Sequence, residues 1–254
     1  MQLHYQSLGQ GQPLILLHGL FGSADNWGSI AKHFADTHQV ICVDIRNHGR
    51  SPHHDSQNYA DMAEDLIELC DALNLDKIDL LGHSLGGKVA MQFATQYPER
   101  MDKLIVVDIA IRAYADAQTH LIEAMMAVDL TTMPNRSAVD QALTSTISNT
   151  RVRQFLLMNL VKIDGQLQWR INLPALKANY PFIRQAICES AHYNKPCLFI
   201  RGERSDYIGD DDLAHIKAHF SQAQFASLPA GHWVHAEQPQ AFIELVAEFL
   251  AKSY

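Results

Sequence analysis

The chain has 254 residues, 47% of them hydrophobic, and a net charge of −8. This length and composition fit one globular domain with a sizeable core, while the acidic charge argues against a nucleic-acid or anionic-membrane partner, which needs a basic surface. The first twenty residues lack the pattern of a secretory leader, and no window approaches the roughly 18 apolar residues of a membrane span, so we expect a cytoplasmic protein.

Short apolar runs alternate with helical periods along most of the chain. The predicted strands are 3–8, 14–17, 40–44, 78–81, 104–108, 197–201 and 224–228, and the predicted helices between them are 26–36, 59–73, 85–96, 210–220 and 239–252. Continuous apolar strands joined by helices are typical of a parallel sheet covered on both faces. We therefore predict an α/β fold with a mostly parallel sheet.

The alternation stops after residue 108 and resumes at 196. Between them lie helix-like segments at 119–129, 137–148 and 151–161, then a stretch, 162–190, broken by Asp164-Gly165, Pro174 and Pro181. Such an insertion is too long for a simple connection. We predict a helical cap, 109–192, inserted into a core made of 1–108 and 193–254. The cap has 8 basic and 6 acidic residues, a net charge of +2.

A G-x-S-x-G motif, Gly82-His83-Ser84-Leu85-Gly86, stands between a predicted strand and a predicted helix. A strand, sharp turn and helix around this pattern is typical of a nucleophile elbow, in which glycines allow a strained turn that exposes the serine. We predict Ser84 as a nucleophile. The backbone N–H of Leu85, at the start of the helix, is a candidate donor to an oxyanion.

An activated serine needs a general base, and the chain has 14 histidines. His232 lies in the loop between the last predicted strand and the final helix, where the chain returns to the edge of the sheet that carries Ser84. We predict His232 as the base. His235 is the competitor and is otherwise expected to be solvated, whereas His83 is expected to support the elbow.

Two carboxylates are candidates for orienting the base. Asp108 closes the strand next to the nucleophile strand. The other usual place for the acid is a G-x-x-D turn after the next-to-last strand; here that turn reads Gly202-Glu-Arg-Ser205, with a serine at the acid position and Asp206 one residue later. Both carboxylates stay open on this reasoning.

A second glycine-rich junction, His18-Gly19-Leu20-Phe21-Gly22, follows the first buried strand. Its glycines let the backbone bring another N–H, that of Leu20, towards an oxyanion. Such junctions also bind phosphates, but no P-loop or dinucleotide-binding motif is present. Four scattered cysteines (Cys42, Cys70, Cys188 and Cys197) lack metal-ligand spacing and are expected to be free thiols.

These motifs resemble, in order and spacing, those of the α/β-hydrolase superfamily, together with the final Gly231-His-Trp233. The segments Asp44-Ile-Arg-Asn-His-Gly-Arg-Ser51 and 231–237 resemble the YbfF-type esterases. The resemblance implies a serine esterase of short acyl esters, with acyl-CoA thioesters as further candidates and no cofactor or metal. It also favours Asp108 as the acid, since that group has an aspartate after the earlier strand and a serine where the later acid would stand. Ser205 is then expected to be a hydrogen-bond partner of the base.

Other functions share these motifs. A carbon–carbon bond hydrolase or a menaquinone-pathway lyase would use a similar triad, and a non-catalytic small-molecule receptor is the alternative outside the enzymes. Epoxide hydrolases and haloalkane dehalogenases need an aspartate at the elbow, so Ser84 disfavours both. The acyl length and the oligomeric state are left open.

Overall fold

A computed structural model describes residues 1–187 and 192–253. The strands are β1 (Tyr5–Leu8), β2 (Gln12–Leu17), β3 (His38–Val43), β4 (Ile78–His83), β5 (Met101–Val107), β6 (Leu160–Ile163), β7 (Gln166–Trp169), β8 (Cys197–Gly202) and β9 (Ala223–Leu228). The α-helices are α1 (Gly28–Phe34), α2 (Tyr59–Ala72), α3 (Leu85–Gln96), α4 (Thr119–Ala127), α5 (Arg136–Leu143), α6 (Thr150–Leu157), α7 (Leu173–Ile183), α8 (Asp210–His219), α9 (Val234–Glu237) and α10 (Pro239–Ala251).

The central sheet has the strand order β1-β3-β2-β4-β5-β8-β9. β1 pairs with β3 in the antiparallel direction, and the other neighbours are parallel. β4, β5 and β8 are therefore adjacent, and their carboxyl ends meet at one edge. This edge carries the loops with the predicted site residues, as expected for an open parallel sheet.

Both faces of the sheet are covered, which explains why the strands read as unbroken apolar runs. In β2, Ile15 and Leu17 belong to a cluster that includes α2 and α3, whereas Leu14 and Leu16 belong to a cluster that includes α1 and α10. The predicted fold class is confirmed. Each end of a predicted strand of the core lies within three residues of the observed end.

The inserted segment between β5 and β8 contains helices, as predicted, but also the β6–β7 hairpin. The predicted helix 151–161 is wrong at its end: α6 stops at Leu157, and Leu160–Ile163 is a strand. Asp164 and Gly165 have φ of 49° and 84°. Two consecutive residues at positive φ form the tight turn that joins paired strands, and this turn closes the hairpin.

Pro181 was expected to interrupt the helical pattern, but α7 continues through it to Ile183. Proline removes one intrahelical hydrogen bond, and the buried face of α7, which includes Leu176 and Tyr180, supplies packing that offsets the loss. The boundaries 109 and 192 stay a prediction. Residues 188–191, which include Cys188, lie outside the described part; the other three cysteines are buried and free.

No helix within the described residues combines the length and apolar content needed to cross a bilayer.

Candidate active site

Ser84 occupies the sharp turn between β4 and α3. Its φ of 53° and ψ of −116° place it in a strained backbone region, as the elbow motif predicts. A Cβ on Gly82 would lie 2.1 Å from the Gly86 carbonyl oxygen, and one on Gly86 would lie 2.5 Å from the Leu17 carbonyl oxygen. The turn therefore requires both glycines, since real Cβ atoms do not approach so closely.

The imidazole of His232 lies between Ser84 and Asp108. Nε2 is 3.0 Å from Ser84 Oγ, and Nδ1 is 2.8 Å from Asp108 Oδ2. Asp108 is fully buried, and a carboxylate is a hydrogen-bond acceptor, so Nδ1 carries the hydrogen and donates to it. This pattern leaves the Nε2 lone pair free to accept the Ser84 hydroxyl proton.

Asp108 receives two further hydrogen bonds from the segment after β8. The Gly202 N–H donates to Oδ1 at 2.9 Å, and the Ser205 hydroxyl donates to Oδ2. The expectation that Ser205 partners the base is therefore wrong: its hydroxyl holds the acid. Asp206 is exposed, and its backbone carbonyl accepts from Arg112. The structure thus brings Asp108, and not Asp206, to the imidazole.

The turn Gly19–Gly22 lies beside Ser84, because a Cβ on Gly19 would be 3.2 Å from Ser84 Cβ. Its Gly19 carbonyl accepts from the Gly22 N–H at 2.9 Å and from His18 Nδ1–H at 2.8 Å. In a trans peptide the C=O and the next N–H point in opposite directions. The two bonds that fix the Gly19 carbonyl therefore also fix the direction of the Leu20 N–H.

Leu85 is the first residue of α3, so its N–H has no acceptor within the helix and lies at the positive end of the helix dipole. Leu20 and Leu85 both line the cavity that contains Ser84. Both predicted oxyanion donors are thus placed next to the predicted nucleophile.

Comparison with known proteins identifies the family. A family model for the alpha/beta hydrolase fold matches residues 12–135. The mouse (Mus musculus) sn-1-specific diacylglycerol lipase ABHD11 is 39% identical over 94% of this chain and 80% of its own length. Esterase YbfF of Escherichia coli is 36% identical over 96% of this chain and 95% of its own. A solved structure of a marine microorganism esterase superposes with a TM-score of 0.95 at 40% identity, covering 98% of this chain and 99% of that one.

The chain belongs to the α/β-hydrolase family. The predicted resemblance to the YbfF-type esterases is confirmed by the match over nearly the whole of both chains.

Further aromatic rings lie near His232 in this α/β-hydrolase. Tyr207 stacks on it with 3.9 Å between ring centroids. His83 donates from Nε2 to the His232 carbonyl at 2.8 Å, so it supports the loop that carries the base. His235 packs between His83 and Trp27, at 4.7 Å and 4.5 Å. No motif in the sequence marked Tyr207.

The expectation that His235 is solvated is wrong. Its side chain is buried in α9, and burial, followed by the nearby His232, lowers the pKa of His235 to about 4. A short helix that the sequence did not predict, α9, precedes the final helix, and His235 lies within it with its side chain buried. Among the described residues, His232 is the histidine that hydrogen-bonds with both Ser84 and Asp108.

A cavity of about 1270 Å³ lies over Ser84, between the core and the inserted segment. This volume is above the 300–1,000 Å³ of ordinary small-molecule pockets. Apolar side chains contributed by the inserted segment include Leu121, Val152, Phe155 and Ile183. The space can therefore hold an apolar chain attached to a carbonyl at Ser84.

Lys88 of α3 anchors both ends of the inserted segment. It is 1% exposed, and its ammonium donates to the carbonyls of Ile111 at 2.9 Å, Arg112 at 2.7 Å and Gln185 at 3.0 Å. Burial lowers the pKa of Lys88 to about 7. The helix that begins at the elbow is thereby tied to the first and last parts of the cap.

We expect the difference in free energy of unfolding between the wild type and Lys88→Met to change with pH, in favour of the wild type as the pH rises. An unfolded lysine keeps its proton until about its ordinary pKa of 10.5, whereas the folded group releases it near pH 7. The unfolded state then binds more protons between these values, so stability increases with pH there, by about 2 kcal/mol between pH 7 and 9. Urea unfolding of both proteins at pH 7, 8 and 9 measures this; a constant difference would contradict it.

Proposed function

We propose that this protein is a serine esterase that hydrolyses short-to-medium acyl esters through an acyl-enzyme on Ser84. The observation that carries this is the continuous line of hydrogen bonds from Ser84 Oγ to His232 and on to buried Asp108, opening into the large cavity. The broader class, a carboxylic ester hydrolase, is supported by relatives at 36% and 39% identity that are named esterase and lipase.

The geometry fits acyl transfer in two halves. Ser84 Oγ attacks the ester carbonyl while His232 Nε2 takes its proton, and the N–H groups of Leu20 and Leu85 stabilise the oxyanion. The carbon–oxygen bond to the alcohol breaks, and His232 returns the proton to the leaving alkoxide. A water then attacks the acyl-enzyme with His232 as base, releasing the carboxylic acid and Ser84. Asp108 holds the imidazole and stabilises its charged form.

Acyl-CoA thioesters are a second candidate class of substrate. Arg151 and Arg184 line the cavity on its cap side, and Arg151 is exposed and makes no ion pair with a described residue. A cationic rim suits an anionic leaving group. A diacylglycerol is a third candidate, by analogy with the lipase relative and because the cavity is large. A cytoplasmic location and the absence of nucleic-acid partners stay predictions from the sequence.

The test is hydrolysis of p-nitrophenyl esters from C2 to C12, acetyl- to palmitoyl-CoA, and dioctanoylglycerol, by the wild type and Ser84→Ala. We expect turnover of the short and medium esters, with a loss of roughly 10⁴-fold or more in Ser84→Ala. A fluorophosphonate should add one adduct to the wild type and none to the variant, as intact-protein mass spectrometry will show.

Wild-type protein that turns over no ester would contradict the proposal. Carbon–carbon bond hydrolysis would then be tested. A receptor would instead retain an ester without converting it, which equilibrium dialysis followed by recovery of the intact ester would reveal.

A further inference from the structure

Asn159 connects the cap to the turn that holds Leu20. It lies between α6 and β6, is 1% exposed, and donates from Nδ2 to the Phe21 carbonyl at 2.8 Å and to the Leu156 carbonyl at 3.2 Å. The backbone carbonyl of Asn159 accepts from the Arg170 N–H at 2.8 Å, at the end of the β6–β7 hairpin. The side chain and backbone of this one residue therefore join the end of α6, the hairpin and the Gly19–Gly22 turn.

Phe21 needs such support. Its φ is 64°, in the left-handed region that a residue with a side chain adopts only when its surroundings hold it there. Within the core, the Gly22 N–H closes the turn on the Gly19 carbonyl. The Phe21 carbonyl, which points away from that closure, receives its hydrogen bond from the cap.

The same part of the cap makes a second contact with the core just beyond the turn. The Arg170 guanidinium lies 3.7 Å from the Asp25 carboxylate, and Asn26 Nδ2 lies 3.9 Å from Met158 Sδ. The segments around Met158 and Arg170 are thus seated on residues 21–26. The Asn159 amide is the most buried of these three contacts between cap and core, and of the three it is the one that reaches the backbone of the turn.

We propose that Asn159 is a positioning residue: its amide holds the Leu20–Phe21 backbone in the conformation in which the Leu20 N–H serves the oxyanion. This inference rests on the proposed esterase function. It follows that the donor pair is complete only while the cap is seated on the core, so the cap sets the rate of the chemical step as well as access to the cavity.

The experiment compares position 159 with a matched residue. Asn179 is also a buried cap asparagine whose Nδ2 donates to a core carbonyl, that of Asp55 at 2.6 Å, and to its own helix, at the Ala175 carbonyl at 2.9 Å. It contacts neither the turn nor the cavity. Asn159→Asp, Asn159→Ala, Asn179→Asp and Asn179→Ala are assayed with p-nitrophenyl butyrate, with circular dichroism to confirm folding and with butaneboronic acid as a tetrahedral-adduct inhibitor.

We expect the variants at 159 to lose about 10- to 100-fold in kcat with little change in KM, less than the 10²–10³-fold cost of deleting an oxyanion donor outright. The inhibition constant of butaneboronic acid should rise by a similar factor, because the adduct places an oxygen where the oxyanion forms. The variants at 179 should keep kcat and the inhibition constant within about twofold, whatever they lose in melting temperature.

Equal kcat at the two positions, or a rise in KM alone at position 159, would overturn the inference. So would unfolding of both Asn159 variants while the Asn179 variants stay folded, since Asn159 would then serve the fold. The proposed function is tested separately by wild-type turnover and its loss in Ser84→Ala. An active wild type with unaffected Asn159 variants therefore rejects the positioning role and leaves the esterase standing.

Discussion

Asp108→Asn is expected to lower kcat for p-nitrophenyl butyrate by about 10⁴-fold. Asp108 Oδ2 accepts the Nδ1–H of His232 and the hydroxyl of Ser205, while Oδ1 accepts from Gly202. In the variant an NH₂ group replaces one oxygen. The Gly202 N–H needs an acceptor, so the remaining oxygen stays on that side and the NH₂ group faces Nδ1 of His232. Nδ1 must then accept a hydrogen bond, so the imidazole carries its hydrogen on Nε2 instead. That tautomer cannot take the Ser84 proton.

Asp206→Asn is the matched control, because it makes the same chemical change at the other candidate acid. Asp206 is exposed, and the contact it makes with Arg112 is through its backbone carbonyl, which the substitution keeps. We expect kcat within about twofold of the wild type, as for most surface substitutions. Comparable losses in the two variants, or a larger loss in Asp206→Asn, would reject Asp108 as the orienting acid.

The choice between these carboxylates shows where the sequence stops being informative. Asp108 follows β5 and Asp206 follows β8, and these strands are neighbours whose carboxyl ends meet at one edge. Either residue could have approached His232 from there. The choice depends on the φ of 52° at Asp108, which turns its side chain towards the Gly202 N–H and the imidazole. The motifs in the sequence do not specify that backbone angle.

Elements with a strong local pattern were predictable. β2 was found from an unbroken apolar run, and the elbow was found from two glycines whose absence of a Cβ the turn requires. The β6–β7 hairpin was missed because its strands are short and half exposed, so its one clear signal was Asp164-Gly165. Such a pair also occurs in ordinary loops.

Contacts made by single side chains across the fold were not predictable. Lys88 reads as a surface residue of an amphipathic helix, yet it is buried among carbonyls at the two ends of the cap. Asn159 falls inside the predicted helix 151–161, yet its amide reaches the Phe21 carbonyl, 138 positions away in the sequence. The contacts of both side chains depend on how the cap packs on the core. That packing is made of many weak contacts, which leave no periodic pattern in the sequence.

Acid should destabilise this protein through its buried histidines. Burial lowers the pKa of His18, of His48 to about 3, of His83 well below its usual range, and of His235 to about 4. In the unfolded chain each would titrate near its ordinary pKa of 6.5. Below that pH the histidines bind protons in the unfolded state but stay neutral in the folded state. The free energy of unfolding therefore falls as the pH drops from 6.5 towards 4.

The size of the effect is large against the 5–15 kcal/mol that stabilises a typical domain. Between pH 7 and 5, one histidine with a folded pKa of 3 or 4 costs about 2 kcal/mol, so His48 and His235 together cost about 4 kcal/mol. His18 adds a local consequence. Its Nε2 accepts from the Ile45 N–H while Nδ1–H holds the Gly19 carbonyl, so a second proton would break the first contact and loosen the turn that carries Leu20.

His235→Phe tests the linkage directly, since the ring keeps its aromatic packing against Trp27 and loses the titration. Urea unfolding at pH 7, 6 and 5 should show the wild type losing about 2 kcal/mol more than the variant over this range. Phe242→Leu, at a buried neighbour of His235, is the control: it should lower stability at every pH and keep the wild-type slope. If His235→Phe also keeps that slope, His235 exchanges no proton on unfolding, and the acid sensitivity must come from the other three rings.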